Sequence, residues 1–232
     1  MFWKNIEIHN AAELVDVDGG VMPVRYPLAM KPFLNESAQN IMYNTAHTEL
    51  RFVATGDQLP EITLSTTEPR QAYAVIFRGQ FCQRNIIPLT IEPQVIKLQA
   101  NENLSKLSPK YTSSMAFSPN VWRVIISEQP IILHDVQGWS RPPQPDELPR
   151  RRYLTYGTSI THGASAMLPH LSYAAQAARR LDADLINLGL GGACHCEKEI
   201  ADWIAARDDW NFATLSLSVN MTGKFTIEEF ED

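Results

Sequence analysis

Ser159 lies between Gly157 and Gly163 in Tyr153-Leu-Thr-Tyr-Gly-Thr-Ser-Ile-Thr-His-Gly163, where a strand-like run gives way to a loop. A serine hydroxyl acts as a nucleophile when it is exposed beside backbone amides, and a glycine-flanked turn offers both. The arrangement recurs downstream. Leu185-Ile-Asn-Leu-Gly-Leu-Gly-Gly192 and Leu215-Ser-Leu-Ser-Val-Asn-Met221 are also apolar runs that end on small or polar residues. In an open parallel α/β sheet, ligands bind beyond the carboxyl ends of the strands. Ser159, Gly192 and Asn220 are therefore expected to converge. Attack by the hydroxyl on a carbonyl produces a tetrahedral oxyanion, which needs hydrogen-bond donors already in place.

Each residue also has a plainer reading. Ser159 and Thr161 fit as caps of a following helix. Gly191-Gly192 fits a tight strand-to-helix turn, and Asn220 fits a turn residue. Cys194-His195-Cys196 invites a metal, but zinc sites need four ligands at suitable spacings. No second pair is present and Cys82 is distant in sequence, so no metal is expected. The Gly157–Gly163 loop lacks the G-K-[ST] ending of a phosphate-binding loop.

The elements that must position these residues fall into two patterns. Residues 1–138 offer short strand-like runs separated by turns, with little helical periodicity. Thr48-Glu-Leu-Arg-Phe-Val-Ala54 alternates polar and apolar residues as a half-buried strand does. Glu61–Ser65, Ala72–Phe77, Gln94–Leu98 and Val121–Ile126 are similar. Ile131–Val136 is expected to pair with Val121–Ile126 through the turn Ser127-Glu-Gln-Pro130. Asp18-Gly19 signals a hairpin. Together these runs predict an antiparallel β-sandwich. Gly138–Pro149 holds four prolines in twelve residues, which favours an extended connector, assigned to 139–152. Residues 153–232 read β-α-β-α-β, the sign of a parallel sheet, here with three strands. Leu168, Leu171, Ala175, Ala178 and Leu181 predict one helical face, with Pro169 in the first turn. Ile200 and Ile204 mark the buried side of the next helix.

The three glycine- and asparagine-ended segments resemble the SGNH (GDSL-like) hydrolase family. Gly157-Thr158-Ser159-Ile160-Thr161-His162-Gly163 is similar to its first block, with Thr158 where the family has Asp. Gly192, with Gly191 as near rival, is similar to the glycine of the second block. Ser218-Val219-Asn220-Met221 retains only the asparagine of the third. The resemblance covers residues 150–232. It implies a three-layer flavodoxin-like α/β domain, incomplete here, preceded by a jelly-roll-like β-sandwich. It also implies a serine esterase acting on a carboxylic ester, with an acylated carbohydrate as one substrate class. Ser159 would be the nucleophile, and Gly192 and Asn220 would form the oxyanion hole. Thr158, His162 and His195 are candidates for substrate contact. An acyltransferase using the same serine and a non-catalytic carbohydrate-binding protein are the alternatives.

The family's catalytic histidine comes from a late D-x-x-H block, and residues 221–232 contain no histidine. Thr226-Ile-Glu-Glu229 reads as a capping box opening a helix at the end of the sequence. The expectation is a chain lacking its C-terminal portion, and hence weakly active or inactive. A net charge of −6 with no basic block argues against nucleic acid. A hydrophobic content of 44% suffices for a core. No signal-peptide core or membrane-length run is present, so a cytoplasmic protein is expected. Three cysteines make no disulfide framework, and no cofactor is implied.

Overall fold

The computed structural model describes residues 1–231. The first strands are β1 (Phe2–Trp3), β2 (Ile6–His9), β3 (Glu13–Val17) and β4 (Gly20–Val24). A 3₁₀ segment at Leu28–Phe33 and helix α1 (Glu36–Ile41) follow. Next come β5 (Glu49–Ala54), β6 (Glu61–Thr66), β7 (Tyr73–Arg78), β8 (Phe81–Pro88) and β9 (Gln94–Ile96). The short helix α2 (Pro109–Thr112) precedes β10 (Val121–Ile126), β11 (Ile131–Gln137) and β12 (Ser140–Arg141). These strands form two antiparallel sheets, ordered β1-β2-β5-β10-β7-β8, with β12 on β5, and β3-β4-β11-β6-β9. Asp18-Gly19 joins β3 to β4 as a hairpin, with Val17 opposite Gly20.

Strand alternation explains the packing. Ile8, Leu50, Ile76 and Val124 of the first sheet share a core with Ile62, Leu64 and Leu133 of the second. The intervening residues Glu7, His9, Glu49, Arg51 and Arg123 are buried as well. The central strands of the first sheet are thus covered on both faces, and the half-buried strand expected at Thr48–Ala54 is instead buried on both sides up to Val53. Alternation reports that two faces differ, not that one is wet.

Three further expectations need correction. β10 does not pair with β11: it lies between β5 and β7, whereas β11 lies between β4 and β6 in the other sheet. Both edges of β10 are taken, so Ser127–Pro130 crosses between sheets. The helix expected to start near Leu168 starts at Tyr173, because the Ser172 side chain accepts from the Ala175 amide. Leu171 and Leu181 consequently stay exposed, and the buried face consists of Ala174, Ala175 and Ala178. The helical segments at Leu28–Phe33 and Glu36–Ile41 were not expected at all. Met30, Leu34, Ala38 and Met42 from them pack on Leu154, Ile186, Leu188 and Ile200 of the α/β region.

The Pro-rich stretch is fastened down rather than loose. Ser140 pairs with Ala54, and Arg141 holds Glu147 at 2.7 and 2.8 Å. Beyond it, β13 (Arg151–Gly157), β14 (Ala183–Gly189) and β15 (Phe212–Ser216) make the parallel sheet β14-β13-β15. Helix α3 (Ser159–His162) is a single turn after β13, followed by α4 (Tyr173–Arg180), α5 (Lys198–Ala205) and α6 (Ile227–Glu231). The α4 alanines cover Tyr153 and Leu185, and Ile200 and Ile204 of α5 pack in the cluster around Leu154 and Tyr156. Thr226 and Glu229 form the expected reciprocal cap.

A buried ionic cluster joins the antiparallel and parallel sheets. Arg51 grips Asp184 with two bonds of 2.8 and 2.5 Å and also holds Glu49 at 2.7 Å. Arg123 takes the same Glu49 at 2.8 and 2.6 Å. Burial would push Glu49 up, but the Arg123 and Arg51 guanidiniums hold its carboxyl well below the usual range. Two carboxylates meet two guanidiniums, so the desolvated charges balance.

Candidate functional site

Gly157 is aligned with Gly189 on one side and Ser216 on the other. All three parallel strands therefore end at one rim, and Ser159, Gly192 and Asn220 each lie in the segment just beyond it. Ser159 is half-buried and begins α3 directly after Thr158. Thr158 is buried, and its carbonyl accepts the His162 amide at 2.9 Å.

Several contacts clamp the α3 turn onto β14. The Asn187 side chain donates to the Thr161 carbonyl at 2.7 Å and accepts from the Gly189 amide at 2.9 Å. At Gly189 an added Cβ would stand 2.2 Å from the His162 amide nitrogen, so only glycine permits this approach. His162 Nδ1 accepts the Gly191 N–H at 3.0 Å. The nucleophile's turn and the glycine loop are thus positioned by one another.

The glycine loop is in turn tied to the asparagine segment. Asn220 Oδ1 accepts the Cys194 amide at 3.3 Å. A backbone N–H can only donate, so this contact assigns the oxygen and leaves the Asn220 NH₂ group as the free end. Gly192 has φ of +73°, and an added Cβ would meet nothing within 4 Å. Its surroundings are open, as the approach of a substrate to a backbone amide requires.

The remaining candidates divide by burial. His162 is 5% exposed, and burial, aided by Arg25, holds its ring well below the usual histidine range. The neutral ring with Nδ1 accepting carries its proton on Nε2. It cannot take a proton through the nitrogen already bonded to Gly191. His195 is half-buried, edge-on to Phe225 at 5.2 Å, with Nε2 3.5 Å from Lys224 Nζ. Cys194 faces the core, where burial pushes its thiol up to about 12. Among the described residues, no group of three or more His, Cys, Asp or Glu is placed to hold a metal ion.

Two residues relevant to the site were missed in the sequence. Asn187 had a signal, a lone polar residue within the apolar run Leu-Ile-Asn-Leu-Gly. Glu128, whose carboxyl oxygen stands 3.7 Å from where a Cβ of Gly163 would be, had none.

Residues 150–216 match the GDSL-like Lipase/Acylhydrolase family. The fold is similar to that of a salicylyl-acyltransferase from a tetracycline biosynthetic pathway. The TM-score is 0.73 at 16% identity, over 95% of this chain and 63% of that one. A putative GDSL-like lipase from Bacteroides ovatus gives 0.57 at 18% identity, over 91% and 62%. A family two carbohydrate esterase from Cellvibrio japonicus gives 0.53 at 13% identity, over 95% and 66%. At such identities the likeness is one of fold. The chain spans 62–66% of the length of these three structures. No curated protein matches it.

Proposed function

The chain carries a GDSL-like lipase/acylhydrolase segment at residues 150–216, and from that premise we propose a serine acyl-ester hydrolase with Ser159 as nucleophile. The Ser159 amide, the Gly192 amide and the Asn220 side-chain NH₂ receive the oxyanion. The observation that carries this reading is the bond from the Cys194 amide to Asn220 Oδ1. It holds the carboxamide by its oxygen and leaves its NH₂ donors for an oxyanion. Loss of one such donor costs about 2.7–4 kcal/mol of barrier.

Esterase and acyltransferase folds are both among the similar structures, so acyl transfer is the common chemistry. An acylated carbohydrate is the proposed substrate class, supported by the likeness to the carbohydrate esterase. The likeness to the salicylyl-acyltransferase supports a second reading, in which an acceptor alcohol replaces water. The two antiparallel sheets, residues 1–138, are proposed as a jelly-roll-like β-sandwich domain. Residues 139–152 connect it to the hydrolase domain at 153–232.

His162 is committed to Gly191, and His195 packs on Phe225 and makes no hydrogen bond to Ser159 among the described residues, which supports a chain without a general base for Ser159. Loss of general-base help lowers rates by about 10²–10⁴-fold. These 232 residues are therefore expected to hydrolyse 4-nitrophenyl acetate slowly and, for want of the same base, to be labelled only slowly at Ser159 by a fluorophosphonate. Asn220→Ala is expected to lower the residual turnover by about 10²–10³-fold. Equal labelling of the Ser159→Ala chain would refute the nucleophile and favour a binding protein. Robust turnover lost in both Ser159→Ala and His195→Ala would show that a base is in place.

A further inference from the structure

A cavity of about 300 Å³ opens between the first antiparallel sheet and the loop that follows α3. Its lining includes His47 ahead of β5, Gln71 and Tyr73 near the head of β7, Ser127 and Glu128 beyond β10, and His162, Gly163 and residues 165–169. Ser159, Gly192 and Asn220 do not. Even so, His162 closes the single helical turn that Ser159 opens. Whatever occupies the cavity therefore sits one turn from the proposed nucleophile.

The outer wall is fixed. Leu168 packs on Val75, Phe77 and Ile125 of the sheet, and the His170 ring meets Phe77 edge-on at 5.2 Å. Cavities of about this size upward take small molecules, with a few polar groups setting orientation.

The polar groups here define the ligand. With Nδ1 accepting from Gly191, the His162 ring has its donor at Nε2, which is buried and meets no acceptor. Glu128 makes no ion pair or hydrogen bond among the described residues; partial burial raises its pKa, and the Arg25 charge only partly offsets that. The cavity thus presents a carboxylate lacking hydrogen-bond donors, while the His162 Nε2 donor is shut off behind the wall. An anion would be repelled by Glu128, and a purely apolar group would leave its carboxylate unsatisfied. A hydroxyl group donates to the carboxylate, and Ala166 and Met167 offer apolar surface to a ring face.

We propose that this cavity binds a hydroxyl-bearing ring of about one sugar unit, the alcohol part of the ester whose acyl carbon meets Ser159. The assignment to the ester rests on Ser159 being the nucleophile, whereas binding of the ring does not. The test is a titration of the ¹⁵N-labelled full chain with methyl glucoside, methyl xyloside and myo-inositol. At least one is expected to shift the Glu128, Gly163 and Ala166 amides saturably. Glu128→Ala should weaken that binding at least about tenfold, as loss of a charge-assisted hydrogen bond implies. Ala166→Trp should fill the cavity and abolish binding, and Ser159→Ala should leave it unchanged. No shift from any of the three, or shifts undiminished in the Glu128→Ala and Ala166→Trp chains, would overturn the proposal. So would binding of ethylammonium in their place. Fluorophosphonate labelling of Ser159 separates the two readings. Labelling without ring binding sinks the cavity alone, and ring binding without labelling sinks its assignment to the ester.

Discussion

The two edges of the parallel sheet are finished in opposite ways. Along β14, residues from the start of the chain cover the backbone. His9 donates to the Leu185 carbonyl at 2.6 Å, Asn10 and Arg25 donate to that of Asn187 at 3.2 and 3.0 Å, and Tyr26 donates to that of Leu188. Asn10 Oδ1 also accepts the Asn187 amide at 3.2 Å. On the side of β15 away from β13 the described residues supply no neighbouring strand. Leu215 is 59% and Val219 67% exposed. The antiparallel region thus acts as a sheath for one edge of the sheet that carries the candidate site, and the other edge has no such cover among the described residues. Edge strands with unpaired backbone and apolar side chains are where chains associate.

The contrast can be broken hardest at the sheath. Arg51→Ala leaves Glu49 with the Arg123 guanidinium and Asp184 with only that of the half-exposed Arg152, at 4.0 Å, and removing one partner of a buried ion pair costs about 3–5 kcal/mol. Chemical denaturation is expected to show a loss of that size, with 4-nitrophenyl acetate turnover falling as the sheets separate. A loss below about 1 kcal/mol, the level of a surface pair, would mean that the cluster does not join the two regions.

Acid should loosen the same sheath. His47 is buried, and desolvation lowers its pKa to about 4. His9 is lowered for the same reason. A histidine whose folded pKa lies below its unfolded value stabilises the fold most fully above the unfolded value of 6.5, and that stability is lost as pH falls toward the folded value. For His47 the loss between pH 6.5 and 4 is about 3 kcal/mol. Glu49 and Asp184, held down by their arginines once burial is outweighed, add a further loss below the ordinary carboxylate range. Thermal unfolding followed from pH 7 to 4 is expected to show a falling Tm, with a shallower fall in a His47→Gln chain. A flat profile would contradict the burial of both histidines.

The open edge calls for the gentlest change. Leu215→Lys replaces an exposed side chain, so stability should move by no more than about 0.5 kcal/mol. Self-association, followed by sedimentation velocity across concentration, should fall. Unchanged association would place the contact elsewhere.

Much of the local structure was legible because its causes are local. Asp18-Gly19 turned the first hairpin, and Thr226 and Glu229 capped α6 as their types and spacing required. The alternation of strands and helices after residue 150 announced a parallel sheet, and with it a common rim for Ser159, Gly192 and Asn220. Six residues at Glu36–Ile41 complete fewer than two helical turns, too few for periodicity to show. The partner of β10 was not legible either, because an apolar strand carries no mark of which sheet it joins.

The candidate site divides along the same line. Residue types and the ends of apolar runs nominate the serine, the glycine loop and the asparagine as candidates, since each depends on what its neighbours in the chain permit. Three further features depended on residues far apart in the chain. These were the clamp of His162 and Asn187 on the serine's turn, the placing of Glu128 beside Gly163, and the burial of Arg51 against Asp184. Arg51 shows why. Its position in an alternating strand marked it as facing away from the sheet's apolar core. Only the docking of the parallel sheet on that face, with Asp184 to balance the charge, made it one of the most deeply buried side chains of the protein.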